Sequence, residues 1–227
     1  MRTVRRFALT VAALLSVAGL ARPQMMMRPP DIPGVFKPVV GEGAEYQITS
    51  SDGKTHDWAM AVVGKEAVDG QDAYWYEMRT NSERGGKVVM KQLMVMQPGN
   101  VSIKRMIVQP PGRPPMEMPV AMMNMRMPHG PQAPQAESGS GHGMGEVVGT
   151  ETVSVPAGTF ECQHFRSTGE GKTSDVWVSS KVSPYGMVKM TSSDGTSMVL
   201  QKVLEHESSQ IQGEPQKLNM PGMPTPQ

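Results

Sequence analysis

The sequence predicts an all-β or β-dominated fold, a strongly curved antiparallel sheet or open half-barrel of about eight to ten strands joined by hairpins. Runs of residues that favour strands recur, and turn residues separate them. The stretch Lys87–Gln97 carries apolar residues on both faces, which favours a covered or curved sheet over a flat sandwich. Three of the turns contain Asp-Gly, which suits tight hairpins because both central residues need positive φ. These turns are Asp52-Gly53, Asp69-Gly70 and Asp194-Gly195.

Ten strand-like runs are predicted in chain order. The first five are Ala44–Ser50, Asp57–Gly64, Ala73–Thr80, Lys87–Gln97 and Val101–Gln109. The second five are Glu151–Val155, Thr159–Ser167, Ser174–Ser179, Gly186–Ser192 and Ser197–Glu205. Val155-Pro156-Ala157-Gly158 predicts a type I turn, since it has Pro second and Gly fourth. After the N-terminal segment the pattern indicates at most one short helix, near Met116–Met127, which is crowded by Pro119 and Pro128.

Proline divides the chain, because a proline removes a ladder donor and is excluded from central strands. Of the 20 prolines, five lie in 23–38, eight in 110–134 and four in 215–226. We therefore expect a disordered leader over 22–38, a single β domain over 39–206 interrupted by a Pro-, Met- and Gly-rich loop at 110–145, and a disordered tail over 207–227.

The first 21 residues have the layout of a secretory signal peptide. Arg2, Arg5 and Arg6 form a basic region, residues 7–20 are uncharged and mostly apolar, and Gly19 and Ala21 suit cleavage after residue 21. The apolar run is shorter than the ~20 residues of a membrane span. The sequence therefore predicts a periplasmic or secreted protein without a later transmembrane span. Arg5-Arg6 leaves both the general and the twin-arginine export routes open.

Composition excludes some classes of function. The net charge is +1, from 22 basic and 21 acidic residues, so no nucleic-acid partner is expected. Cys162 is the only cysteine and cannot form an internal disulfide. It is expected to be a small buried residue, with a reactive thiol or an intermolecular bridge as the alternative. His164 shares its strand face, where a structural pair is favoured over a metal site. No nucleophile, base or phosphate-loop pattern is present, which predicts a protein that is not an enzyme.

Two motifs resemble uncharacterised exported bacterial proteins. The first is Glu151–Cys162, ETVSVPAGTFEC, and the second is Val176–Lys189, VWVSSKVSPYGMVK. They are similar to a V-PAGTF-C hairpin followed by a W-s-VP-GLVK strand pair. Some of those families look related to the lipoprotein-localisation-factor fold, a curved antiparallel half-barrel around a hydrophobic cavity. The resemblance implies this fold and, as a function, the binding of a lipid, an acylated protein or another envelope component.

Four bulky aromatic residues on predicted strands are candidates for the lining of such a cavity: Trp58, Trp75, Tyr76 and Trp177. Aromatic side chains supply much of the apolar area of ligand sites. The alternative is that they fill the core. A structural β module without a small ligand also stays open.

A second functional hypothesis rests on clustered methionine and histidine. Thioethers with imidazole suit the soft ion Cu(I). The candidate ligands are Met116, Met118, Met122, Met123, Met125, Met127, His129 and His142. Two alternatives stand beside it. The methionines can form an adaptable contact surface, or methionine can simply be the apolar residue that this chain prefers.

Overall fold

A computed structural model of the chain describes residues 38–82, 85–97, 100–119, 145–169 and 171–217. The predicted signal peptide, nearly all of the leader, most of the 110–145 loop and the last ten residues lie outside the described residues.

Twelve strands make up the described fold, and each predicted run coincides with one of them. The first six are β1 (Gly43–Thr49), β2 (Thr55–Val68), β3 (Gln71–Asn81), β4 (Lys87–Gln97), β5 (Asn100–Gln109) and β6 (Met116–Met118). The others are β7 (Glu146–Val155), β8 (Gly158–Gly169), β9 (Lys172–Val178), β10 (Met187–Ser192), β11 (Ser197–Leu204) and β12 (Gln216–Lys217).

All twelve strands belong to one open sheet, in the order β12-β6-β5-β4-β3-β2-β1-β11-β10-β9-β8-β7. Every neighbouring pair is antiparallel except β12 and β6. The all-β prediction is confirmed. The sheet exceeds the expected eight to ten strands because β6 and β12, three and two residues long, lie in segments predicted as loop and tail. Met116–Met118 is extended, so the helix considered there is wrong at its described start.

The Asp-Gly turns are not all of one kind. At Asp69-Gly70 both residues have positive φ, 52° and 73°, as the two-residue hairpin requires. At Asp52-Gly53 and Asp194-Gly195 only the glycine does. In the first of these two turns the backbone N–H of Gly53 donates to Ser50 O at 2.8 Å, and Ser50 N–H donates to Lys54 O at 2.9 Å. The expectation of two positive φ values is therefore wrong at these two turns. Each of them has a three-residue loop, one residue longer than the loop at Asp69-Gly70.

The largest core cluster lies where β1 joins the two halves of the chain. It includes Tyr46, Met60, Cys162, Val188 and Leu200. The Tyr46 hydroxyl is buried and donates to Met187 O at 3.0 Å. The edge strand β7 also approaches β10 and β11, so this end of the sheet curls back on itself.

Residues 205–217, which we name the C-terminal strap, cross the sheet from the end of β11 to β6. The backbone N–H of Glu207 donates to Gly41 O at 2.8 Å, Ser209 and Gln210 bond Glu77 on β3, and β12 pairs with β6. Residues 207–217 therefore differ from the predicted tail. Their polar sequence folds because the sheet supplies partners for its backbone.

Candidate functional site

The two faces of the sheet are assigned from strand register, because side chains alternate between faces along each strand. Tyr46 on β1 pairs with Trp58 on β2, Met60 pairs with Met78 on β3, and Val62 pairs with Tyr76. These residues share one face, which we call the methionine face. The opposite face carries the strap and is called the strap face.

Methionine dominates the methionine face between β2 and β6. Register places two rows of directly opposed residues across these five strands. The first row is Met60, Met78, Met90, Val108 and Met116, and the second is Val62, Tyr76, Gln92, Met106 and Met118. Beyond them Tyr74 pairs with Met94, which in turn pairs with Ile103. Directly opposed side chains have Cβ atoms about 4.5–5.5 Å apart, so neighbouring side chains in each row can contact one another. The rows are apolar except at Gln92, and Met60, Val62, Tyr76, Gln92 and Met106 are buried.

Aromatic rings border these rows. The centroids of Tyr76 and Tyr185 lie 6.0 Å apart, and those of Tyr46 and Trp58 lie 5.9 Å apart. Burial raises the pKa of Tyr185 to about 12 and raises the pKa of Tyr46 and Tyr76 further. The three hydroxyls are therefore neutral at physiological pH, and they add no charge to this face.

The strap face is built from polar bonds around a small apolar cluster. Trp75, Leu93 and Ile107 pack here with Ile211 of the strap against them. Glu77, fully buried, accepts from the Ser209 hydroxyl at 2.7 Å and from the Gln210 backbone N–H at 2.9 Å.

Further polar contacts anchor the strap at both ends. Arg79 bridges Glu207 at 2.7 Å, and Gln109 accepts from the Gln212 backbone N–H at 2.9 Å. The strap therefore covers the apolar cluster of this face with the chain's own residues.

A charged cluster lies at the far end of the sheet, on β7, β8 and β9. His164 Nε2 lies 2.7 Å from Asp175 Oδ1, and Nδ1 lies 3.0 Å from Glu151 Oε1. The Trp177 indole N–H donates to Glu151, and its ring stacks on His164 with centroids 4.5 Å apart. Each ring nitrogen of His164 faces a carboxylate, and these contacts link β7, β8 and β9. The contacts of His164 therefore favour a structural role for this residue.

Cys162 lies beside this cluster and is buried. Burial, followed by the nearby Glu151 carboxylate, raises the pKa of its thiol to about 11. The thiol is therefore protonated at neutral pH, which disfavours a reactive role.

The four aromatic cavity candidates do not share a face. Trp58 and Tyr76 lie on the methionine face. Trp75 lies on the strap face, between the Lys91 and Arg105 cations. Trp177 pairs with His164 and Lys189 and, like Trp58, packs against the core cluster that contains Tyr46. The strand methionines were the residues that sequence reasoning missed, although the alternation of Met90, Met94 and Met96 indicated their common face.

The proposed copper ligands are only partly within the described residues. Met116 and Met118 are half-buried in β6, and register places both on the methionine face. Met122, Met123, Met125, Met127, His129 and His142 lie outside the described residues. Within the described ranges, no group of three or more His, Cys, Asp or Glu side chains is arranged to hold a metal ion.

The sequence profile of a family described as a domain of unknown function, DUF4412, matches residues 71–218. The chain belongs to the DUF4412 family. The DUF4412 match begins with β3 and ends just beyond β12, so it contains the strap and most of the methionine face. A search of curated proteins finds no match. Among the described residues, no helix is long and apolar enough to cross a membrane.

Two solved structures are similar to this DUF4412 chain at low identity. One is a proposed exported protein with a YmcC-like fold from Bacteroides fragilis NCTC 9343, 16% identical, with a TM-score of 0.36 over 75% of this chain and 98% of that one. The other is a proposed lipoprotein from Parabacteroides distasonis ATCC 8503, 11% identical, with a TM-score of 0.38 over 74% of this chain and 97% of that one.

Proposed function

We propose that this DUF4412 protein is a non-enzymatic exported envelope protein that binds a hydrophobic ligand on its methionine face. The ligand class is the acyl chain of a lipid or of an acylated protein. One observation carries the proposal: methionines from five neighbouring strands line one face of the sheet between β2 and β6.

The side-chain chemistry of this face suits an apolar ligand of variable shape. Methionine is unbranched and polarizable, and it adapts to irregular partners at low cost. Each Å² of apolar surface that the ligand removes from water contributes about 25 cal/mol, from which the cost of association is subtracted. Met78, Met90 and Met96 are half-buried, so each retains surface that a ligand can cover.

The strap face does not offer the same surface, since the strap already occupies it. A shallow open cleft of about 510 Å³ lies beside the strap, and its lining includes Lys87, Gln109, Ser209 and Gln210. These polar groups favour water over an acyl chain. The binding function is therefore assigned to the methionine face.

Export is supported by the signal-peptide layout of residues 1–21. In the periplasm or outside the cell, an acyl chain in water needs a protein surface to remain dispersed. A protein that only binds the acyl chain could carry it or help to assemble envelope components, and neither role requires a catalytic residue.

The test is a titration of the mature protein with a fluorescent fatty acid. We expect saturable binding, with a change in Trp58 emission because Trp58 lies on the same face. In a matched pair of variants, Met78→Leu/Met94→Leu keeps the apolar surface and retains binding. Met78→Lys/Met94→Lys adds two charges at the same positions and reduces affinity at least tenfold.

Circular dichroism and urea unfolding of both variants separate a loss of binding from a loss of fold. Equal affinity for the Leu and Lys variants would contradict the assignment to this face. If no fatty acid or phospholipid in a panel binds, the acyl-chain proposal is wrong, and a structural β module without a small ligand is favoured.

The copper hypothesis based on residues 116–142 stays a prediction, because six of its eight ligands lie outside the described residues. One specific observation favours a soft-metal role for part of the set. Met118 lies directly opposite Met106 on the sheet.

A further inference from the structure

One amide side chain stands in the middle of the methionine rows. Gln92 lies on β4, the central strand of the five, between Tyr76 on β3 and Met106 on β5. It is 8% exposed, so its amide is largely withdrawn from water. The other members of the two rows are methionine, valine and tyrosine. Burying an amide without strong hydrogen bonds is costly, so apolar packing alone does not account for a glutamine at this position.

The hydrogen bonding of the Gln92 amide is incomplete. Its N–H group donates to the Met90 sulfur at 3.8 Å, and a thioether is a weak acceptor. A primary amide carries a second N–H and a carbonyl oxygen, and neither bonds another of the described residues. A ligand that offers a carbonyl oxygen to this amide therefore supplies a stronger acceptor than the sulfur does.

The surroundings of Gln92 select a neutral carbonyl over an ionised carboxylate. The two methionine rows contain no charged residue, so a carboxylate placed among them would lose its hydration without gaining a cation. The carbonyl of an ester or amide is neutral and accepts an N–H. It is also joined directly to the acyl chain, so the chain can lie along the rows while the carbonyl reaches Gln92. A free fatty acid binds through its chain, with its carboxylate in water.

Two flexible side chains border Gln92 and allow a ligand to reach it. Met90 precedes Gln92 by two residues on the same face of β4, and Met78 on β3 pairs with Met90. Both methionines are half-buried, and their unbranched side chains can change rotamer at low cost. Movement of Met90 away from the amide also frees the N–H that its sulfur accepts.

We propose that Gln92 orients the ligand on the methionine face by donating a hydrogen bond to the carbonyl oxygen of an acyl ester or acyl amide. This inference rests on the proposed function and narrows its ligand class from acyl chains in general to neutral acyl esters and amides. The methionines supply apolar contact, and Gln92 determines which end group is accepted.

The test compares an ester-linked lysophosphatidylcholine with its ether-linked analogue of equal chain length, which lacks the carbonyl oxygen. Calorimetric titration of the full mature chain, below the critical micelle concentration of both lipids, gives the two affinities. We expect the wild type to bind the ester about three- to tenfold more tightly than the ether, the effect of one neutral hydrogen bond. Gln92→Leu should bind both lipids equally and keep the wild-type affinity for the ether.

The matched control is Met90→Leu, which removes the sulfur acceptor and keeps the amide, so it should retain the preference for the ester. Infrared spectroscopy of the ester, labelled with carbon-13 at its carbonyl, gives a second readout. The carbonyl band of the bound ester should lie at lower frequency in the wild type and in Met90→Leu than in Gln92→Leu. Circular dichroism and urea unfolding check the fold, and Gln92→Met takes the place of Gln92→Leu if the latter does not fold.

The outcomes separate this inference from the function on which it rests. Equal binding of ester and ether by the wild type, or a preference for the ester that survives in Gln92→Leu, would overturn the role of Gln92 and leave the acyl-chain function standing. No binding of either lipid or of the fluorescent fatty acid would remove the acyl-chain function, and this inference with it.

Discussion

The two faces of the sheet are covered by different chemistry. On the strap face, Glu77 and Arg79 are buried and hold residues 207–210 through charge-assisted bonds. On the methionine face, the opposed rows between β2 and β6 consist of methionine, valine, Tyr76 and Gln92. The first face is specified by directional polar bonds, and the second by apolar packing in which methionine predominates.

This difference separates stability from function. Directional bonds to buried groups are costly to break, because each lost partner leaves a desolvated group unpaired. Apolar contacts between flexible side chains tolerate changes of shape. We therefore expect substitutions on the strap face to change the free energy of unfolding, and substitutions on the methionine face to change ligand binding.

The largest expected effect is at Glu77. Glu77→Ala removes the acceptor of the Ser209 hydroxyl and the Gln210 N–H. We expect a loss of about 2–4 kcal/mol in the free energy of unfolding, since buried groups are left unpaired. Urea unfolding measures it. The control Glu161→Ala removes an exposed carboxylate on β8 and should cost less than about 0.5 kcal/mol. Equal costs for the two variants would refute the role of the strap contacts.

The second effect contrasts the faces directly. Met78→Leu keeps the volume of a half-buried side chain, so we expect a cost below about 1.5 kcal/mol. Affinity for a fluorescent fatty acid should stay within threefold of wild type. A cost equal to that of Glu77→Ala would show that the methionine face is as rigidly specified as the strap face.

The third prediction concerns Cys162. Because burial raises the pKa of its thiol to about 11, we expect the folded protein to react with a thiol-specific disulfide reagent at pH 8 far more slowly than the unfolded protein in urea. The absorbance of the released thiolate follows the reaction. A rate in the folded state equal to that in urea would contradict the burial of this residue.

The smallest effect is the pH dependence from Asp175. Burial acts to raise the pKa of this carboxyl, but hydrogen bonds from Arg166 and His164 outweigh it and hold the pKa below its usual range. A lowered folded-state pKa adds stability above the unfolded value of about 3.9, and this stability is lost as the pH falls further. Asp175→Asn should therefore flatten the unfolding profile below about pH 4. An unchanged acid limb would exclude this contribution.

The strands were predictable because their signals are local. Alternation and turn residues identified every strand between Gly43 and Leu204 except β6, with ends that differ by at most five residues. The opposite directions of Trp75 and Tyr76 also follow from adjacency, since neighbours on a strand face opposite sides. The position of Met116 and Met118 on the methionine face was not predictable, because it depends on the pairing of β5 with β6.

The strap shows the limit of sequence reasoning most clearly. Its contacts join Glu77 to Ser209 and Gln210 across more than 130 residues, and no local pattern encodes such a pairing. The bulge between Leu93 and Met94 has the same character. It places Ile103 rather than Lys104 opposite Met94.

The most direct test of the account is photo-crosslinking of the mature protein with a diazirine-bearing fatty acid, followed by mass spectrometry of the labelled peptides. The account predicts adducts on β3 to β6, concentrated at the methionine rows, and their loss in Met78→Lys/Met94→Lys. Adducts confined to the strap and to the Trp75 cluster, or adducts that the Lys variant leaves unchanged, would contradict the central claim that the methionine face is the binding surface.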